Sequence, residues 1–199
     1  MAINLKKGQS ISLDKSAYDL SKLTMGLGWD ITKSKGLFGL LGGNKDFDLD
    51  GYAILLNKQG KLANYKEDVI YFRHLQSQDK TVIHSGDNLT GKGEGDDEQI
   101  VLKLNDINTQ YERIILGVTI YDAKSRGQNF GQVNNAFVRA VDATGKEIAR
   151  FSLSGDNTYQ GKISMLMGEV YRSNQGWEFK AIGDALANDL NEVVGSFMS

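Results

Sequence analysis

A series of short aliphatic and β-branched runs, each closed by turn-forming residues, constrains the fold of this chain more than any other feature. The runs occupy 51–57, 99–104, 113–121, 136–142, 147–153, 163–171 and 177–182. Each has the length of a strand, and their punctuation is that of an antiparallel sandwich or barrel rather than of alternating strands and helices. Ala-Thr-Gly-Lys (143–146) and Arg-Ser-Asn-Gln-Gly (172–176) each join two runs, which predicts two hairpins. Proline is absent from all 199 residues, so the turns fall to Asn, Asp and the 23 glycines. Two stretches carry helical signals. In 184–194, Leu186, Leu190, Val193 and Val194 fall near one stripe behind Asp184 as a cap, and a shorter helix is expected within 105–113. The expectation is an all-β fold with minor helix, as one domain over 1–199.

Charge and composition narrow the function. With 40% hydrophobic and 24% charged residues and a formal charge of -2, the chain has an ordinary globular balance. Lys and Arg are scattered, which leaves no electrostatic footprint for nucleic acid. The absence of cysteine removes disulfides, thiolate metal sites and a cysteine nucleophile together. No apolar run approaches the roughly 18–20 residues of a transmembrane helix, and the first residues lack a signal-peptide h-region. A cytoplasmic protein without membrane insertion is the expectation.

Two acidic stretches carry the chemistry. In Asp-Phe-Asp-Leu-Asp-Gly (46–51), an extended chain places Asp46, Asp48 and Asp50 on one face and Phe47 and Leu49 on the other. Such a row of like charges repels unless a cation sits against it. The second stretch, 84–98, combines five carboxylates, Asn88 and Thr90 with four glycines. Its backbone can therefore aim carbonyls as well as side chains at one point. Oxygen-rich donor sets of this kind suit a hard cation; calcium takes about six to eight oxygens in tolerant geometry. With histidine only at 74 and 84, zinc and copper are disfavoured.

Rival readings of the same residues fail on particular positions. The 46–51 stretch opens like an EF-hand loop, but Asn57 stands where the bidentate Glu belongs and Ile54 at the ninth position. Residues 86–93 approach a P-loop, but Gly93 replaces its Ser/Thr, no helix follows, and the acidic 94–98 would repel phosphate. A solvated acidic loop accounts for one such stretch more easily than for two in one small domain. Asp30, just ahead of the first stretch, is placed to complete a site, while Trp29 reads as core or rim. His84 has no nucleophile pattern around it and reads as structural or exposed. Residues 127–139 read as a turn at a strand entrance. The glycine-laced segment 34–45 reads as a mobile loop.

The stretches Gly-Leu-Gly-Trp-Asp (26–30), Asp-Phe-Asp-Leu-Asp (46–50), the whole of 84–98 and Phe-Gly-Gln-Val-Asn-Asn-Ala-Phe-Val-Arg (130–139) resemble the TerD family of tellurium-resistance and stress-response proteins. The resemblance spans essentially the whole chain. It implies a β-sandwich of two mainly antiparallel sheets that binds calcium, about two ions, in a cytoplasmic and non-enzymatic protein. It places ligand roles on Asp46, Asp48, Asp50, Asp87, Asn88, Asp96, Asp97 and Glu98. It also implies other Ter proteins as partners, and contact with the membrane protein TerC. A metal-dependent hydrolase or tellurite-processing enzyme built on the same carboxylates is the rival class. Direct tellurite reduction is chemically unattractive without a thiol or redox-cofactor motif.

Overall fold

The computed structural model describes residues 2–31, 48–86, 96–153 and 157–198. Along the chain the elements are β1 (Ile3–Asn4), β2 (Ser10–Leu13), β3 (Leu23–Ile31), β4 (Leu49–Leu56), α1 (Tyr65–Asp68), β5 (Val69–Ile70), β6 (Val82–His84), β7 (Glu98–Leu102), β8 (Arg113–Ile120), α2 (Ala123–Arg126), β9 (Val133–Val141), β10 (Glu147–Leu153), β11 (Ser164–Ser173), β12 (Gly176–Leu186) and α3 (Leu190–Gly195). Sheet A runs β1-β10-β9-β3-β7-β6 and sheet B runs β2-β12-β11-β8-β4-β5. Neighbours are antiparallel except for β1 beside β10. The expected all-β sandwich with a few short helices, one of them C-terminal, is the observed architecture.

The two sheets enclose one apolar core drawn from both layers, including Leu23, Met25 and Leu27 of β3, Ala53 and Leu55 of β4, Ile114 and Leu116 of β8, and Phe179 of β12. Sheet B has a second apolar layer on its outer side, where Tyr52, Ile54 and Leu56 of β4 and Ile115 of β8 pack with Val193 and Val194 of α3. Strand β4 is thus apolar on both faces, and all eight of its residues are buried. That explains why its sequence reads as a continuous run rather than an alternation.

Both expected hairpins are present: β9 turns into β10, and β11 into β12. The entrance to β9 is a short 3-10 turn, Phe130–Gln132, closed by a capping box between Asn129 and Gln132. The helix expected over 184–194 is corrected in its first half. Residues 184–186 continue β12, paired with Ser164, Met165 and Leu166 of β11, and α3 begins at Leu190 behind Asp189, whose capping box with Glu192 replaces the Asp184 cap. Leu186 and Leu190 nevertheless meet the same second apolar layer, so the stripe was real although it spans two element types. The helix expected in 105–113 is replaced by turns, with Asp106 N–H bonded to the Lys103 carbonyl and Tyr111 N–H to that of Asn108. The segment 34–45 lies outside the described residues.

Candidate functional site

Strand pairing brings the acidic stretches to one end of the sandwich. Leu27 of β3 pairs with Glu98 at the start of β7, and His84 at the end of β6 pairs with Ile100. Across the interior, Gly51 near the start of β4 meets the same place. Its N–H donates to Glu98 Oε2 at 2.5 Å, and its carbonyl accepts from His84 Nε2 at 3.1 Å. His84 Nε2 also lies 3.2 Å from Glu98 Oε2. The Gly86 N–H donates to His84 Nδ1 at 3.0 Å, so Nδ1 is the acceptor and the ring proton sits on Nε2. Glu98 is fully buried and His84 is 3% exposed. The pair ties sheet A to the backbone of sheet B and satisfies a carboxylate that burial would otherwise penalise. Residue 51 must be glycine here, because a Cβ would stand 2.6 Å from Leu27 Cδ1 and 2.8 Å from Glu98 Oε2.

The three consecutive acids that open β7 are divided among three tasks. Glu98 faces the interior tie. Asp97 accepts the Trp29 N–H on Oδ2 at 2.8 Å, and its own N–H bonds the Leu27 carbonyl, fastening the entry of β7 to β3. Asp96 turns to the outer face of sheet A, where Arg139 grips it in bidentate fashion, Nε to Oδ1 at 2.7 Å and Nη2 to Oδ2 at 3.1 Å, with the Gln99 amide adding a third bond. Gly26 lies beneath this carboxylate, and any side chain there would occupy its place. Arg139 continues to Glu147, which is also held by Arg150, and Arg150 stacks on Phe137. The Arg150 guanidinium, joined by Arg139, holds the Glu147 carboxyl below the usual glutamate range against the opposing pull of partial burial.

On β4 the alternation puts Asp50 on the face of Tyr52 and Ile54, the outer side of sheet B, opposite to Gly51. Asp50 pairs with Thr119 in the β4–β8 register, is 3% exposed, and lines a cleft of about 300 Å³. Asp48 precedes the strand, and its carbonyl accepts the Tyr121 N–H. Asp30 sits in β3 opposite Asn134. Asp46, Asp87 and Asn88 lie outside the described residues. Among the described residues no three His, Asp or Glu side chains gather closely enough to hold a metal ion.

Of the two alternatives for His84, structural or exposed, the structure shows the first; sequence reasoning missed the structural use of Glu98 and the partner role of Arg139. A signal existed for His84: it follows Val82 at a spacing of two and shares that buried face. Both of its ring nitrogens are engaged inside the sandwich, which disfavours use of His84 as a general base.

A two-sheet sandwich with acidic strand starts gathered at one end defines the class, and comparison with known proteins identifies it. The TerD domain matches residues 1–197, and the chain belongs to that family of tellurium-resistance and general stress proteins. It is 43% identical to tellurium resistance protein TerX of Serratia marcescens, with 95% of each chain covered. It is 41% identical to general stress protein 16U of Bacillus subtilis, covering 99% of this chain and 97% of the relative. A crystal structure of a protein of unknown function superposes with a TM-score of 0.67 at 25% identity, covering 87% of this chain and 94% of the other. These two relatives carry the names of resistance or stress proteins, not of enzymes. Among the described residues no helix is long and apolar enough to cross a membrane.

Proposed function

We propose that the protein is a non-enzymatic calcium-binding module of a tellurite-resistance or stress-response system, one that presents a surface to partner proteins when loaded. The observation that carries the reading is the convergence on one end of the sandwich: the Gly51–Glu98–His84 tie holds the start of β4, the start of β7 and the end of β6 together. Both chain segments that contain the remaining candidate ligands, 32–47 and 87–95, therefore leave and return at that end.

The donor set fits a hard cation. His84, the histidine of this region, spends both ring nitrogens on internal contacts, and what remains is carboxylate, amide and backbone oxygen. Asp48 and Asp97 are the described residues that would serve as ligands, with Asp46, Asp87 and Asn88 completing the set; two ions are the expected load. Asp50 would join from the outer face of sheet B. Asp96 and Glu98 instead build the frame, through Arg139 and His84. Calcium, when bound, supplies positive charge that relieves the repulsion along the acidic strand start. The chain's residues fix the positions of the oxygens, and other Ter proteins, with TerC at the membrane, are the partners this reading proposes.

Thermal unfolding in EDTA, calcium and magnesium, with native mass spectrometry on the same samples, tests the proposal. Binding stabilises by RT ln(1 + [Ca]/Kd), about 2.7 kcal/mol at a hundredfold excess over Kd. A calcium-specific rise in Tm with two ions retained is the expected result. Identical melting in all three conditions with no retained ion would overturn it.

A further inference from the structure

The outer face of sheet B carries a helix that is held there lightly. Helix α3 has six residues, fewer than the roughly 12–15 at which an isolated helix is even marginal, so its form depends on the face beneath it. Val193 and Val194, 2% and 0% exposed, enter the apolar layer of Tyr52, Ile54, Leu56 and Ile115, and Leu190 and Phe197 flank them. The polar anchors lie at the margins. The Phe197 carbonyl accepts the Leu62 N–H at 2.8 Å, the Asn188 carbonyl accepts the Ser164 hydroxyl at 2.6 Å, and Tyr65 donates to Asn191 at 3.0 Å. Lys124 spans Asp189 and Glu192 at 3.4 and 3.0 Å, with all three side chains about half exposed.

The seat itself favours release. Tyr52 lies over Gly117 in this layer, fully buried, and its hydroxyl has no hydrogen-bond partner among the described residues. The seated helix maintains that penalty, and water relieves it when the helix lifts. Packing beside the first turn is also incomplete, because the cleft of about 300 Å³ separates Asp189, Leu190 and Asn191 from Thr119, Tyr121 and Lys124. Ala187 and Asn188, between β12 and the Asp189 cap, are both exposed and serve as the hinge. What fits the face is defined by what it holds: apolar residues spaced as Leu190, Val193, Val194 and Phe197, behind an acidic first turn that answers Lys124. The α3 of another copy meets that requirement with every contact already matched. We propose that the outer face of sheet B is a docking surface for the α3 of a second copy, and that two chains exchange this helix reciprocally about a two-fold axis.

The inference does not depend on calcium binding, and its test is run on the full chain in EDTA so that a failure counts against the exchange alone. In hydrogen exchange, the amides of Val193 and Val194 are expected to open faster than those of Ile115 and Leu116 beneath them. Tyr52→Phe, which removes the buried hydroxyl, should slow that opening about fivefold. Unlabelled and isotope-labelled chains are then mixed at high concentration, and native mass spectrometry should find dimers of mixed mass. Two charge-reversed chains separate helix exchange from any other dimer. Lys124→Glu and Glu192→Lys each set like charges together, whereas an exchanged pair of the two restores opposite charges at both seats. Their mixture should therefore hold more dimer than either chain alone. Helix amides that open only with those of β8, no dimer of mixed mass, or equal dimer in the mixture and the separate variants would each overturn the proposal. Should a charge-reversed chain not fold, the hydrogen exchange and the labelled wild-type mixture decide it.

Discussion

The acids that begin β4 and those that begin β7 have the same chemistry and opposite arrangements. Asp48 and Asp50 are spaced by two, and alternation assigns them to one side of sheet B while Leu49 and Gly51 face the other. Asp96, Asp97 and Glu98 are consecutive, and the structure sends them to an arginine on the outer face of sheet A, to the backbone of β3, and into the interior. Spacing of two keeps charge together; spacing of one divides it. A run of consecutive acids at a strand start is therefore weak grounds for a shared ligand set, because backbone geometry separates neighbours before any ion can collect them.

The comparison breaks most visibly at Glu98. Glu98→Ala removes the carboxylate beside buried His84, leaves the Gly51 N–H unsatisfied and opens a cavity between the sheets, a loss of about 2–5 kcal/mol in chemical denaturation. That loss should be the same in calcium and in EDTA, because the tie is internal. A deficit that vanished in EDTA would return Glu98 to the ligand set. Next in size is Gly26→Ala, which places a methyl group where the Asp96 carboxylate lies and should cost about 1–3 kcal/mol, with the Arg139 pair lost in a crystal structure of the variant.

On the β4 side, Tyr52 shares the face of Asp50 and is fully buried, and among the described residues its hydroxyl has no hydrogen-bond partner. Burial pushes the phenol well above the ordinary tyrosine range. Tyr52→Phe should therefore be neutral or stabilising, by up to about 1 kcal/mol, and a marked loss of stability would reveal a bond from outside the described residues.

The smallest effect concerns Glu147, whose carboxyl Arg150 and Arg139 hold below the ordinary range. A depressed folded value means that the stabilisation is present above the unfolded value, about 4.3, and is lost as pH falls through the lower folded value. The stability difference between the wild type and Glu147→Gln, below about 1 kcal/mol at neutral pH, should shrink on acidification through that window. A difference that grew instead would mean that the carboxylate is not held by the arginines.

Much of the architecture was legible because its signal is local. Continuous apolar runs such as that of β4 and the hairpin turns at 143–146 and 172–176 are written in adjacent residues. Strand β3 was missed because Gly26 and Gly28 fill its outer positions, although Leu23, Met25, Leu27 and Trp29 alternate faithfully toward the core. The start of α3 was misplaced because β11 holds residues 184–186 in its ladder, a long-range pairing that overrides local periodicity. In the site, the gathering of acidic strand starts was inferable from composition, but the Arg139 grip on Asp96 links residues 43 apart in sequence, and the Gly51 tie to Glu98 links residues 47 apart. No local pattern encodes either.

The central claim, that Asp48 and Asp97 serve an ion while their neighbour Asp96 serves the frame, is tested most directly by calcium titration calorimetry on Asp48→Asn, Asp97→Asn and Asp96→Asn. The account predicts a loss of about tenfold or more in affinity for the first two, as expected when a charged oxygen ligand is removed, and little change for Asp96→Asn. Loss of binding in Asp96→Asn with normal affinity in Asp97→Asn would contradict it.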